Sequence, residues 1–221
     1  MEIKTGLLPY KSNYKKGRVT SVKYIVIHYT GNKGDTAFNN VKYFANNYVK
    51  ASAHFFVDES SIYTSVPTED TAWHCGGGLQ GSGGHQWYGI CTNSNSIGIE
   101  MCLLDKNSNI KQGTVTRCIK LVKYLMEKYQ IPSENVIRHF DVTGKNCPMP
   151  FVNDSEKWRN FTEELENDKM EEINKINQVI SQLKNDVTNL ELRIKAVEKE
   201  NNRQNEIINL VGKDIQDLRK G

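Results

Sequence analysis

The stretch "VKYIVIHYT", residues 22–30, is a short apolar run rich in β-branched side chains that carries a histidine near its end. A run this short and this uniformly apolar is expected of a strand buried at the centre of a sheet. The segments around it fit that frame. "DTAFNNVKYFANNYV" offers Asp35 or Thr36 as the cap of a helix, with Phe38, Val41, Phe44, Ala45 and Tyr48 recurring at helical spacing. "SAHFFVDESSIYTSVP" reads as a hairpin turning at "DESS", and "NSIGIEMCLLD" as a second buried strand. "TVTRCIKLVKYLMEKY" predicts an amphipathic helix capped by Thr114, and "IPSENVIRH" a short strand. That strand leads into "RHFDVTGKNCP", residues 138–148, a polar loop closed by Pro148. The alternation of strands and helices predicts an α/β domain over residues 1–160, with a mixed central sheet flanked by helices.

From Ile173 to Leu218 the pattern changes. Apolar residues recur at alternating spacings of three and four over 46 residues, on the order of 70 Å of helix. The first heptad position is Ile or Val except at Asn201, and Leu is the commonest residue at the fourth. Such a repeat predicts a long C-terminal coiled-coil helix within residues 161–221, and a homo-oligomer formed through residues 173–218. The β-branched first positions and the single Asn201 favour a parallel dimer. Val179 and Ile207 flank the seam and leave a trimer or tetramer open. The competing picture, a long helix packed on its own domain, seldom keeps so strict a repeat.

Charge is nearly balanced, with 29 Lys and Arg against 26 Asp and Glu, which gives no case for nucleic acid as a partner. Residues 1–160 carry +6 and residues 161–221 carry −3, so the front of the chain suits an anionic polymer and a solvated surface equally. The first eighteen residues lack the apolar core of a secretory signal, and no window has the length of a membrane span. Five cysteines without a CxxC pair argue against a disulfide scaffold and against a four-thiolate zinc site. These features lead us to expect synthesis in a reducing cytoplasm.

His139 and Cys147 lie close together in sequence, and a catalytic zinc commonly takes three protein ligands and one open position. His28, at the end of the central strand, is the best-placed third ligand, although a lone histidine there also serves a core. Glu100 interrupts the second apolar strand. A buried carboxylate has a raised pKa, which suits a group that takes and then returns a proton. Lys145 precedes Cys147 by two residues and would place positive charge beside an oxyanion, while its spacing alone fits a solvated loop lysine. His54 reads as a satisfied histidine beneath the site, and His85 as a solvent-facing one. His74 opens "HCGGGLQGSGGHQWYG" and could touch substrate or pack on Trp73. The seven glycines of that stretch are expected to form a loop without a rigid element of its own.

Taken in order, "YIVIHYT", "SAHFFVD", "TAWHCG", "NSIGIEM" and "RHFDVTGKNCP" resemble the zinc-dependent N-acetylmuramoyl-L-alanine amidases of the type-2 class, which share a fold with peptidoglycan recognition proteins and include many bacteriophage endolysins. The resemblance covers roughly residues 20 to 160. It implies Zn2+ bound by His28, His139 and Cys147, Glu100 as general base and acid, Lys145 as oxyanion stabiliser, and substrate contact by His74 and Trp73. It also implies peptidoglycan as partner and cleavage of the amide between N-acetylmuramic acid and L-alanine, on the cell wall after release from the cytoplasm. Related branches use aspartate in place of Cys147, or a tyrosine where this chain has Ala53. The heptad tail lies outside the family pattern. Two other readings compete: a non-catalytic peptidoglycan-binding module, and a cysteine-dependent wall hydrolase with Cys147 as nucleophile and His139 as base.

Overall fold

The computed structural model describes residues 1–102 and 104–219, with side chains described except at 168–172 and 217. Its strands are β1 (Lys4–Thr5), β2 (Tyr14–Lys15), β3 (Tyr24–Tyr29), β4 (Phe55–Val57), β5 (Ile62–Thr64), β6 (Thr71–Ala72), β7 (Ser96–Met101) and β8 (Val136–Arg138). The α-helices are α1 (Ala37–Asn46), α2 (Gln112–Tyr129), α3 (His139–Thr143), α4 (Met149–Val152) and α5 (Ser155–Leu218). Six strands form one mixed sheet in the order β1-β5-β4-β7-β3-β8, and β2 pairs with β6 in a small antiparallel ribbon. The parallel pairs β4·β7, β7·β3 and β3·β8 make up its central part, with β3 as the strand that the opening sequence predicts. The hairpin β4–β5 turns through residues 58–61 as expected, held by Asp58, whose carboxylate accepts the backbone N–H groups of Ser60 and Ser61.

Strand geometry sends alternate side chains to opposite faces. Ile25, Ile27, Ile97, Ile99 and Met101 point one way and pack with Leu121, Val122 and Leu125 of α2 and with Phe151, Phe161 and Leu165. Tyr24, Val26 and His28 point the other way, in register with Ser96, Gly98 and Glu100. On that second face α1 covers Phe56 with Ala37 and Val41. Thr36 caps α1, accepting the Asn39 N–H as predicted, but the helix stops at Asn46. Its buried side is Ala37, Asn40 and Val41, whereas Phe38 and Tyr48 are exposed.

Two elements depart from expectation. Helix α2 begins at Gln112, not after Thr114, because the hairpin turn docks on its first turn. There Lys111 pairs with Glu59 at 3.0 Å and Arg117 donates to the Glu59 carbonyl. Thr114 is thereby buried inside the helix. The expected polar loop after Arg138 is instead the helix α3, and Pro148 leads directly into α4. Asp141 makes α3 possible: it accepts the Arg138 backbone N–H at 2.8 Å and pairs with the Arg138 guanidinium at 2.8 Å, both side chains being largely buried.

The chain forms two compact units, Met1–Asn167 and a second from Asp168 onward. The first runs past residue 160 because Phe161 and Leu165, each 2% exposed, belong to its core. The second is helical through Leu218, and its heptad residues Ile180, Leu190, Ile208 and Leu218 are 43%, 51%, 65% and 82% exposed. No described helix is long and apolar enough to cross a membrane.

Candidate active site

His28 is the fifth residue of β3 and lies beside Glu100 in the parallel ladder, so the two-residue period sends both to the same face. His139 is the first residue of α3, which β8 delivers next to β3. The Phe140 N–H donates to the Cys147 carbonyl at 2.9 Å, which folds the segment back and returns Cys147 to His139. As a result His28, His139 and Cys147, all buried, bring their donor atoms within 4.8 Å of one another. His28 Nδ1 lies 3.8 Å from Cys147 Sγ, and the His28 and His139 rings are 4.7 Å apart.

A hydrogen-bond relay assigns the tautomer of His28. The Ser96 hydroxyl donates to the Thr92 carbonyl at 2.6 Å, so its oxygen is free to accept from His74 Nε2 at 3.2 Å. His74 then presents a bare Nδ1, which accepts the Nε2–H of His28 at 3.0 Å. His28 is left with its Nδ1 lone pair facing Cys147. Gly98 makes room for this relay, since a Cβ there would lie 2.5 Å from the His74 ring.

Electrostatics favour uncharged donors. Burial, then the neighbouring His139, lowers the His28 pKa well below the usual imidazole range. Burial, then the Lys145 charge, brings His139 down to about 3. Neither ring nitrogen of His139 has a hydrogen-bond partner among the described residues, a rare state for a buried imidazole. Burial pushes the Cys147 thiol up to about 12. Burial also raises Glu100 to about 7, with Lys145 opposing and Asp35 reinforcing the shift, and its buried Oε2 lacks a partner among the described residues. Glu100 and Lys145 line a groove of about 500 Å³ together with Tyr29, Thr30, Asp35 and Asn40.

The structure therefore brings together His28, His139, Cys147, Glu100 and Lys145. His74 is 9% exposed and sits behind His28, and Trp73 lines a different groove, with Cys75 and Tyr88. His54 is engaged by the Gly98 N–H and the Asp70 carbonyl, beneath the site. The groove residues Tyr29, Asp35 and Asn40 escaped sequence reading. Asp35 was legible only as a helix cap, and Asn40 occupies an apolar-face position of α1 that a periodicity count passes over. The glycine-rich loop is not free: Gln80, His85 and Trp87 donate backbone N–H groups to the carbonyls of Thr143, Phe140 and Asp141 in α3.

Two imidazoles and a thiol converging beside a proton-holding carboxylate have the make-up of a hydrolytic enzyme site. Residues 18–150 match the N-acetylmuramoyl-L-alanine amidase family. The N-acetylmuramoyl-L-alanine amidase BlyA of Bacillus subtilis is 38% identical over 151 residues, covering 65% of this chain and 41% of BlyA. The solved structure of PlyL has 30% identity and a TM-score of 0.61, covering 75% of this chain and 97% of that one. The catalytic domain of XlyA has 27% identity and a TM-score of 0.60, covering 75% of this chain and 99% of that domain. The chain belongs to the N-acetylmuramoyl-L-alanine amidase family, and it spans about two fifths of the length of the first curated relatives it matches.

Proposed function

We propose that this chain hydrolyses the amide joining the lactyl group of N-acetylmuramic acid to L-alanine of the peptidoglycan stem peptide, as a lysin acting on the cell wall after release from the cytoplasm. The observation that carries the reading is the convergence of His28, His139 and Cys147 beside Glu100. A zinc ion fits this set: two nitrogens and one sulfur suit its preference, and the ring nitrogens of His139, without partners among the described residues, are what a ligand would use. When bound, zinc supplies Lewis acidity, polarising a carbonyl and lowering the pKa of water to roughly 7.

Glu100 carries the proton. With its carboxyl held near pH 7, it accepts a proton from the attacking water and passes it to the departing amine nitrogen of L-alanine. Lys145, on the same groove, places a positive charge where the carbonyl oxygen becomes anionic, a role worth about 3–4 kcal/mol. His74 positions His28 through the relay and does not touch substrate. A thiol pushed up to about 12 and an imidazole pushed down to about 3 speak against Cys147 as nucleophile with His139 as base. A wall-binding module would have no use for a half-buried Glu100 whose Oε2 has no partner among the described residues.

The test pairs metal analysis of the full chain with an assay for newly freed L-alanine amino groups from peptidoglycan. One zinc per chain, activity lost to chelator and restored by zinc are expected. Activity indifferent to chelator overturns the metal assignment, and intact walls under zinc-loaded chain overturn the amidase reading.

Residues 173–218 assemble copies of the chain in parallel. A coiled-coil seam accounts for the exposed apolar stripe. Asn201 and Gln204 meet their own counterparts over the full repeat only in a parallel, in-register pairing. An antiparallel pairing that matched Asn201 with Gln204 would leave residues 173–186 without partners. Sedimentation at micromolar concentration should give an oligomer, and Asn201→Ile should change its size. A strict monomer sinks this assignment.

A further inference from the structure

Beyond the far end of the His74–Ser96 relay, two cysteines that the amidase reading does not use lie side by side. Cys75 and Cys91 are 4% and 2% exposed and share a small apolar cluster with Tyr24, Val26, Ile137 and Val142. Each thiol is the largest influence on the other's titration, Cys91 drawing Cys75 below the usual thiol range and Cys75 pushing Cys91 above it. Asn93 Oδ1 accepts both the Cys75 backbone N–H at 2.9 Å and the Cys75 thiol at 3.4 Å, while the Cys91 N–H donates to the Trp87 carbonyl at 3.0 Å. Both ends of the pair are thus fixed by their backbones. A groove of about 420 Å³, walled by Trp73 and Tyr88, reaches both cysteines. The other three cysteines are placed elsewhere: Cys102 near Asn40, Cys118 on the buried side of α2, and Cys147 beside His28.

We propose that Cys75 and Cys91 form a disulfide by exchange with a small-molecule disulfide, joining the two ends of the glycine-rich loop that is pinned to α3. The Cys75 thiolate attacks one sulfur of the small disulfide, forming a mixed disulfide and expelling one thiolate. The Cys91 thiolate then attacks Cys75 Sγ, closing the protein bond and expelling the second thiolate. Two protein thiols are oxidised, one small disulfide is reduced to two thiols, and the protons leave with them. Cys75 is the first attacker because the neighbouring Cys91, helped by His74 and Ser96 and opposed by burial, favours its thiolate, while Cys75 and burial disfavour that of Cys91. The bond ties the loop ends together where Gln80, His85 and Trp87 already hold α3, the helix that begins at His139. Such a bond forms only once the chain leaves a reducing compartment.

The inference is independent of the amidase reading, and so is its test. The full chain is equilibrated with oxidised glutathione, alkylated after unfolding, and mapped by peptide mass. Free thiols should fall from the five of the reduced chain to three, with one Cys75–Cys91 linkage that dithiothreitol reverses. Amide exchange across residues 76–90 should slow several-fold. Cys91→Ser should stop at a single glutathione adduct on Cys75. Five persistent thiols, a bond between other cysteines, or a Cys75 adduct that never resolves in the unmodified chain overturns the proposal. Because mapping uses the natural sequence, a variant that fails to fold leaves the test intact.

Discussion

On one face of the paired strands β3 and β7, Ile25, Ile27, Ile97, Ile99 and Met101 meet α2 and are inaccessible to water. On the other, His28 and Glu100 face a relay histidine, a second imidazole and a thiol. The first face is apolar, with the soft sulfurs of Met101 and Cys118 among its heteroatoms. The second holds polar atoms without partners among the described residues: both ring nitrogens of His139 and Oε2 of Glu100. Each such atom costs about 1–3 kcal/mol, and burial on the first face offsets that cost. The two-residue period of a strand keeps the offset and the cost on opposite sides of the same backbone, so reactivity is gained without opening the core.

The comparison is best broken from the reactive side. Glu100→Gln removes the proton carrier and should lower kcat by about 10²–10⁴ while leaving zinc content unchanged, as read by amino-group release and metal analysis. In the unmodified enzyme the rate should fall as pH drops below about 7, where the carboxyl takes up its proton. The metal-free chain should show the linked effect on stability. Its folded carboxyl holds a proton up to about 7 against 4.5 unfolded, so stability falls as pH rises through that window. The loss is on the order of 3 kcal/mol, and denaturant titrations of Glu100→Gln should lack it.

From the opposite face, Leu121→Ala should cost about 2–5 kcal/mol in denaturant unfolding and leave kcat per folded molecule unchanged. A smaller effect is expected of His74→Ala, which frees the tautomer of His28 without touching the groove. Zinc affinity should fall roughly 10–100-fold in chelator competition, with kcat near normal once zinc is saturating. A loss of kcat at full zinc occupancy would return His74 to substrate contact.

The apolar face was legible in sequence almost residue by residue, because burial on a strand leaves a period that composition alone reveals. His28, Glu100, His139 and Cys147 were legible for the opposite reason: each interrupts a pattern or lies where packing gives it no use. The relay was not. That His74 sits behind His28 depends on an absent side chain at Gly98, one strand away, and no local signal links the two positions. Helix α3 was hidden in the same way, since its polar residues read as a loop until the Arg138–Asp141 pair and three backbone donors from residues 80–87 are seen to hold it.

Gly144 ends α3 with a φ of +78°, and a Cβ there would run into the carbonyl oxygen of Gln80. For anyone diversifying this scaffold, that one position is closed to all nineteen alternatives for two separate reasons, handedness and room. The exposed glycine-rich segment looks like an easy place to graft a peptide, yet inserts between residues 80 and 87 would prise at the turn that presents His139. The tip of the β4–β5 hairpin is no freer, because Glu59 docks there on the first turn of α2 and Asp58 accepts the first N–H of α1.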